Sequence, residues 1–168
     1  MKKIKLILFF LIFNLTTISF TKACDLLSIN IGGDKSEIED IFGPIEVDED
    51  DEESVSKFTS SKEGFCTDID LGEVLIYGYI MGDKIAAVEI EVQNGPENKE
   101  SAKKKIYDYA QNKFGGIEVD SDRWLGYKFW DVDNKQIFYY NLKDRDNNVQ
   151  EGIAVTSAEY YRVLSDNE

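Results

Sequence analysis

The sequence predicts an α+β fold: two tandem units, each a helix followed by a three-stranded antiparallel meander, with the helices on one face of the sheet. Three observations carry that expectation. Phe42-Gly43-Pro44-Ile45-Glu46-Val47-Asp48-Glu49-Asp50 matches Phe114-Gly115-Gly116-Ile117-Glu118-Val119-Asp120-Ser121-Asp122 at seven of nine positions, 72 residues apart. Each copy follows a helical pattern, in which Phe closes an apolar stripe and Gly ends the helix by taking a left-handed conformation. Each copy also precedes segments of strand-like alternation divided by short turn signals. A near-repeat at a fixed offset, with a similar pattern downstream, reads as a tandem duplication.

The start of the chain stands apart from both units. Lys2, Lys3 and Lys5 precede an apolar run from Leu6 to Phe13, and Ala23 precedes Cys24. A basic start, a short apolar run and a small residue at a cleavage point read as a secretory signal. Residues 1–23 are therefore set outside the fold, and the expected location is periplasmic or secreted. A membrane span would need about 20 apolar residues, and no stretch has them. The first unit then covers 24–94, with an acidic loop at 46–62, and the second covers 95–168.

Beyond the signal the chain holds 15 basic and 33 acidic residues, a formal charge of −18. Such a field disfavours nucleic acid and anionic lipid as partners. It favours a basic protein or a cation, and it keeps an exported protein soluble. Cys24 and Cys66 make an even count in an exported chain, which reads as a disulfide contributing about 2–4 kcal/mol. The rival reading makes Cys24 a lipid-attachment cysteine. Thr21-Lys22-Ala23 matches that pattern poorly, and lipidation would leave Cys66 unpaired.

Within the first unit, Leu27 to Ile31 suits a short strand. Asp34-Lys35-Ser36-Glu37 is a capping box for a short helix whose apolar face is Ile38, Ile41 and Phe42. From Glu46 to Glu53 seven of eight residues are acidic, so the stretch reads as a solvated loop held open by like charge. Strands are expected at Phe65 to Asp70, Glu73 to Met81 and Lys84 to Val92, with Leu71-Gly72 and Gly82-Asp83 as turns. In the last of these, Ala86, Val88, Ile90 and Val92 oppose Glu89 and Glu91.

The second unit opens at Gly95-Pro96 with the longest helix, to about Phe114. Ala102, Ile106, Tyr109 and Ala110 form its apolar stripe. Strands are expected at Trp124 to Val132, Lys135 to Leu142 and Val149 to Thr156, with turns at Asp133-Asn134 and Asp144 to Asn148. The tail from Ala158 to Leu164 fits either a final strand or a helical turn.

Little in this chain carries chemistry. It has no histidine, which removes His-based triads, His general bases and most zinc sites. Paired cysteines leave no thiolate nucleophile. Acidic pairs abound without any one being singled out, so no catalytic residue and no cofactor is expected. Asp144-x-Asp146-x-Asn148 copies the opening of a calcium loop, but Val149 and Val155 stand where that loop needs Gly and Glu. It reads as a turn, and the acidic run offers only loose calcium binding.

The aromatic residues are more informative. Trp124, Tyr127, Phe129, Trp130, Phe138, Tyr139 and Tyr140 fall within 17 residues. Tyr127 and Phe129 alternate with Trp130, and Tyr139 with Phe138 and Tyr140. In the first unit Val74, Ile76 and Ile80 oppose Leu75, Tyr77, Tyr79 and Met81. Both faces are thus apolar or aromatic, whereas a sheet with one face in water should alternate apolar with polar. Either the second face packs on further structure or it is an exposed binding face, for which Tyr and Trp are favoured. Tyr77, Tyr79, Tyr127, Trp130 and Tyr139 are the candidate partner-binding residues.

The segment from Ile31 to Pro44, Ile-Gly-Gly-Asp-Lys-Ser-Glu-Ile-Glu-Asp-Ile-Phe-Gly-Pro, resembles the Gly-x-x-x-x-x-Val-x-x-x-Leu-Gly-x-Pro signature of the β-lactamase inhibitory protein fold. Small outer-membrane-assembly lipoproteins share that pattern. Here Pro44 directly follows Gly43, one position early, and the chain has at most one disulfide where those inhibitors have one in each half. The resemblance implies tandem helix-plus-sheet halves and protein binding at the sheet, and no functional residue is carried over. The functional expectation is an exported, non-enzymatic protein-binding module, such as an inhibitor of a cationic enzyme. The alternatives are a cell-envelope structural or assembly protein and a weak calcium binder.

Overall fold

Among the described residues six antiparallel strands form one sheet, in the order β1-β2-β3-β6-β5-β4. The structure, a computed structural model, describes residues 25–45, 55–61, 71, 74–92, 100–117, 125–143 and 149–166. The strands are β1 (Val55–Ser61), β2 (Val74–Met81), β3 (Lys84–Val92), β4 (Gly126–Val132), β5 (Lys135–Lys143) and β6 (Val149–Thr156). The helices are α1 (Lys35–Phe42), α2 (Glu100–Phe114) and α3 (Ala158–Asp166). Consecutive strands pair as two meanders, and β3 joins β6 to make the sheet continuous.

Both Phe-Gly junctions behave as their residues dictate. Gly43 has φ 83° and Gly115 φ 69°, a region in which a Cβ is disfavoured. Their N–H groups donate to Glu39 and Gln111 carbonyls, each at 2.9 Å. At the start of α1, the Glu37 carboxylate accepts the Asp34 N–H at 3.1 Å, the reciprocal half of a capping box. The tail, open between strand and helix from sequence, is the helix α3. A short strand is expected at Leu27 to Ile31, but a 3-10 turn at Leu26–Ser28 takes up its start. The turn's carbonyls find partners outside a sheet: the Leu26 carbonyl accepts the Ile29 N–H at 3.3 Å, and Lys135 donates to the Leu27 carbonyl.

The core lies between one face of the sheet and helices α1 and α2. Ile38 of α1 and Ile106, Tyr109 and Ala110 of α2 share a buried cluster with Ile76, Val88, Ile90, Ile137, Ile153 and Val155 of the strands. Leu26 and Ile29 close it at the N-terminal side. Helix α3 is placed differently from the one-face expectation: its Tyr161 and Leu164 line a cleft over the opposite face of the sheet.

The first strand is a correction. The stretch 46–62 reads as an acidic loop, yet Val55–Ser61 within it pairs along β2, from Val55 opposite Met81 to Ser61 opposite Leu75. The rest of that loop and the expected strand from Phe65 to Asp70 lie outside the described residues. Among the described residues β1 lies at the edge of the sheet, so polar residues suit most of its length. One residue supplies its core contact. Phe58 is buried directly opposite Gly78. A Cβ at Gly78 would lie 1.8 Å from the Phe58 ring, so the ring fills the space over the glycine and covers its backbone. A lone Phe among Ser, Thr and Lys leaves no hydrophobic period to read.

Candidate functional site

The face of the sheet away from α1 and α2 carries a cleft of about 800 Å³. Strand register assembles it. Tyr77 pairs with Glu89, and Glu89 with Ala154, which pairs in turn with Phe138, and Phe138 with Phe129. One row along, Leu75, Glu91, Gly152, Tyr140 and Tyr127 succeed one another. The middle strands thus supply carboxylates and small residues as a floor, and the outer strands supply aromatic walls. A bulge between Tyr79 and Ile80 shifts the register, so that Ala87 rather than Ala86 faces the cleft opposite Tyr79.

One wall is a continuous aromatic stack. Phe138 lies 5.3 Å from Tyr127 and 4.7 Å from Phe129, both near parallel, and 5.6 Å from Tyr140. Tyr161 of α3 meets Phe129 edge-on at 6.0 Å. Tyr127 and Phe129 remain 57% and 49% exposed, although such rings are worth most when buried. On the other side Tyr79 lines the cleft, with Tyr77 next to it on the same face of β2, and both are half-buried.

The floor is acidic and hydrogen-bonded. Glu89 accepts the Tyr79 hydroxyl at 3.0 Å and the Tyr140 hydroxyl at 2.7 Å. Tyr140 also reaches Glu91 at 3.4 Å. Its ring leans over Gly152, where a Cβ would lie 2.5 Å from its hydroxyl oxygen. Burial, followed by the Glu89 charge, pushes the Tyr140 phenol up, so it stays protonated and acts as a donor. Tyr77 is raised for the same first reason, with Glu91 and Glu89 adding to it. Burial and then the Glu89 charge hold Glu91 above its ordinary value of 4.5. The arrangement presents acceptor oxygens and ring faces, both of which attract cations.

The raised Glu91 has a signed consequence. An acid whose folded pKa exceeds its unfolded value destabilises the fold where it is ionised, and stability recovers as pH falls through the folded pKa towards the unfolded one. Glu91→Gln is therefore expected to raise the melting temperature at neutral pH. The gain should shrink below the folded pKa and vanish below about 4.5. Thermal melts across pH check this, and a lower melting temperature at neutral pH would refute it.

The candidate partner-binding residues divide by strand parity. Tyr77, Tyr79 and Tyr127 lie on the open face. Trp130 and Tyr139 do not. Trp130 packs towards the helices, 5.3 Å from Phe114, and donates its indole N–H to the Gly115 carbonyl at 2.9 Å. Tyr139 is 0% exposed and donates to the buried Glu151 carboxylate at 2.8 Å. Alternation separates these two from Phe129, Phe138 and Tyr140, but does not say which set meets the helices. Sequence reasoning missed Phe129, Phe138, Tyr140 and Tyr161, and it missed Glu89 and Glu91 as neighbours of Tyr77. The Glu89-x-Glu91 alternation was visible, but not its register against Tyr77.

Cys24 and Cys66 lie outside the described residues, as do the acidic run 46–54 and the turn 144–148. Among the described residues no group of three or more acidic or cysteine side chains could hold a metal ion. Among them, too, no helix is long and apolar enough to cross a membrane. Comparison with protein-family models, with curated proteins and with solved structures finds no match to this chain.

Proposed function

We propose that this chain is an exported, non-enzymatic protein-binding module whose open sheet face docks a basic partner. An inhibitor of a cationic enzyme is its most concrete form. The observation that carries the reading is the pair Tyr127 and Phe129, exposed on an aromatic wall beside the Glu89 and Glu91 floor. Exposed rings next to fixed negative charge provide anchors, and the charge steers a basic protein towards them. The lack of histidine, which removes His-based acid–base chemistry, supports binding rather than catalysis.

Two further elements belong to the proposal. The strand order, with two meanders back to back and a Phe-Gly junction before each, supports a tandem duplication. The basic, then apolar N-terminus and the even cysteine count support export with a Cys24–Cys66 bridge, in a fold of the β-lactamase inhibitory protein kind.

The test captures partners from cell-envelope extract on the mature, unreduced protein, whose intact mass reports signal removal and the bridge. Tyr127→Ser and Phe129→Ser should each weaken capture of a basic partner by about 2 kcal/mol or more, roughly thirtyfold. Their melting temperatures should stay close to that of the parent, since exposed side chains contribute little stability. High salt should weaken capture further. Capture that survives both substitutions, or a partner that is acidic, would defeat the proposal.

A further inference from the structure

We infer that the cleft contains a seat for an alkylammonium or guanidinium group, that Lys57 occupies it in the free protein, and that a lysine or arginine of the basic partner displaces it. This rests on the docking reading above and specifies its chemistry.

Lys57 lies on the edge strand β1, directly opposite Tyr79. Its Nζ stands 3.9 Å from the centre of the Tyr77 ring and 5.4 Å from that of Tyr79. Both distances fall within the reach of a cation–π contact. Behind the rings, Tyr77 pairs with Glu89, and Leu75 beside it pairs with Glu91. A cation placed here meets two ring faces and stands in the field of the Glu91 carboxylate. The protein already demonstrates what the site binds, with its own side chain.

The two carboxylates are not equivalent. Glu89 receives two tyrosine hydroxyls, at 3.0 and 2.7 Å. Tyr140 has one proton, directed at Glu89 across 2.7 Å, so its 3.4 Å approach to Glu91 leaves acceptor capacity on Glu91. Lys57 acts on Glu91 through its field, which lowers the Glu91 pKa. A guanidinium could do more, since it forks onto a carboxylate while its plane stacks on an aromatic ring.

Lys57 suits a displaceable occupant. It is exposed, and among the described residues its strand is bonded to a neighbour on one side only. An ammonium released from a ring face regains its hydration at little cost. Charge selects the incoming group. The chain carries a formal net charge of −14, so a second copy would bring like charge to an acidic cleft, whereas a basic polypeptide brings the complement.

The experiment titrates a pentaarginine peptide into the purified protein and reads Kd by calorimetry at near-physiological salt. Lys57→Met should bind about three to ten times more tightly than the parent, because the competitor is gone. Lys143→Met is the control: it removes the same charge from an exposed lysine of the opposite strand parity, and it should change Kd less than twofold. Glu91→Gln should bind about tenfold more weakly. Equal gains from both lysine variants would reduce the effect to net charge, and weaker binding by Lys57→Met would make Lys57 a contributor; either result overturns the inference while docking stands. Spermidine binding as tightly as the peptide would reassign the seat to a free polyamine. No binding by any version, even at low salt, would sink the docking reading too. Proton NMR gives a readout that needs no variant. The Lys57 ε-methylene protons, shielded over the Tyr77 ring, should move to unshielded positions as peptide is added. Peptide binding with those signals unmoved would refute displacement.

Discussion

Tyr139→Ala should cost the fold about 3–5 kcal/mol, as buried aromatic truncations do, and lower the melting temperature by roughly 10 °C or more. Tyr139 is the largest fully buried side chain among the described residues. Its ring meets Tyr107 edge-on at 6.2 Å. Its hydroxyl donates to Glu151, which also accepts the Tyr107 backbone N–H at 3.1 Å. This links β5, β6 and α2 around one carboxylate in the core. Burial, followed by the Glu151 charge, pushes the Tyr139 phenol up, so it remains a donor. Tyr139→Phe keeps the ring and removes only that donor. It should cost about 1.5–3 kcal/mol, the range for a hydrogen bond to a charged group. Denaturant melts separate the two contributions. Costs below about 1 kcal/mol for both variants would contradict the buried placement.

Phe58→Ala should destabilise the protein by about 3–5 kcal/mol, an effect out of scale with its place in a polar edge strand. The ring is the strand's main anchor in the core, and among the described residues β1 pairs with β2 alone. Gly78→Ala approaches the same contact from the other side. Its Cβ would fall 1.8 Å from the Phe58 ring, so the ring must leave its position. Overpacking of this kind costs about 1–3 kcal/mol, and more if the ring is expelled. In the double variant no ring remains to collide with the new methyl. The combined cost should therefore be clearly less than the sum, as for residues in contact. Denaturant melts of the four proteins measure that coupling. Strict additivity would show that Phe58 does not sit on Gly78.

The two Phe-Gly junctions were the most legible part of the sequence. A helix that must stop, followed by a strand that must start, leaves a local signature, and the structure has a left-handed glycine at both places. The meander of β4, β5 and β6 was legible for a related reason. Period-two alternation and turn-forming residues between strands are properties of a few neighbouring residues. By contrast, β1 was hidden. Its strand character comes from pairing with β2 and from the space over Gly78, neither of which is local.

The candidate site divides in the same way. Alternation alone divided the aromatic residues into two sets, since successive side chains of a strand point to opposite faces. It did not determine which set faces water. Tyr127 and Tyr139 are the same type of residue in one aromatic run, yet one is 57% exposed and the other 0%. Only the packing of α1 and α2 against one face of the sheet decided between them, because a shift of one residue exchanges the buried and exposed rows. The meeting of Glu89 with Tyr79, Tyr140 and Tyr77 was likewise decided by tertiary structure. Those residues come from three strands, and the register that aligns them is set by long-range strand pairing and a bulge, beyond the reach of any local pattern.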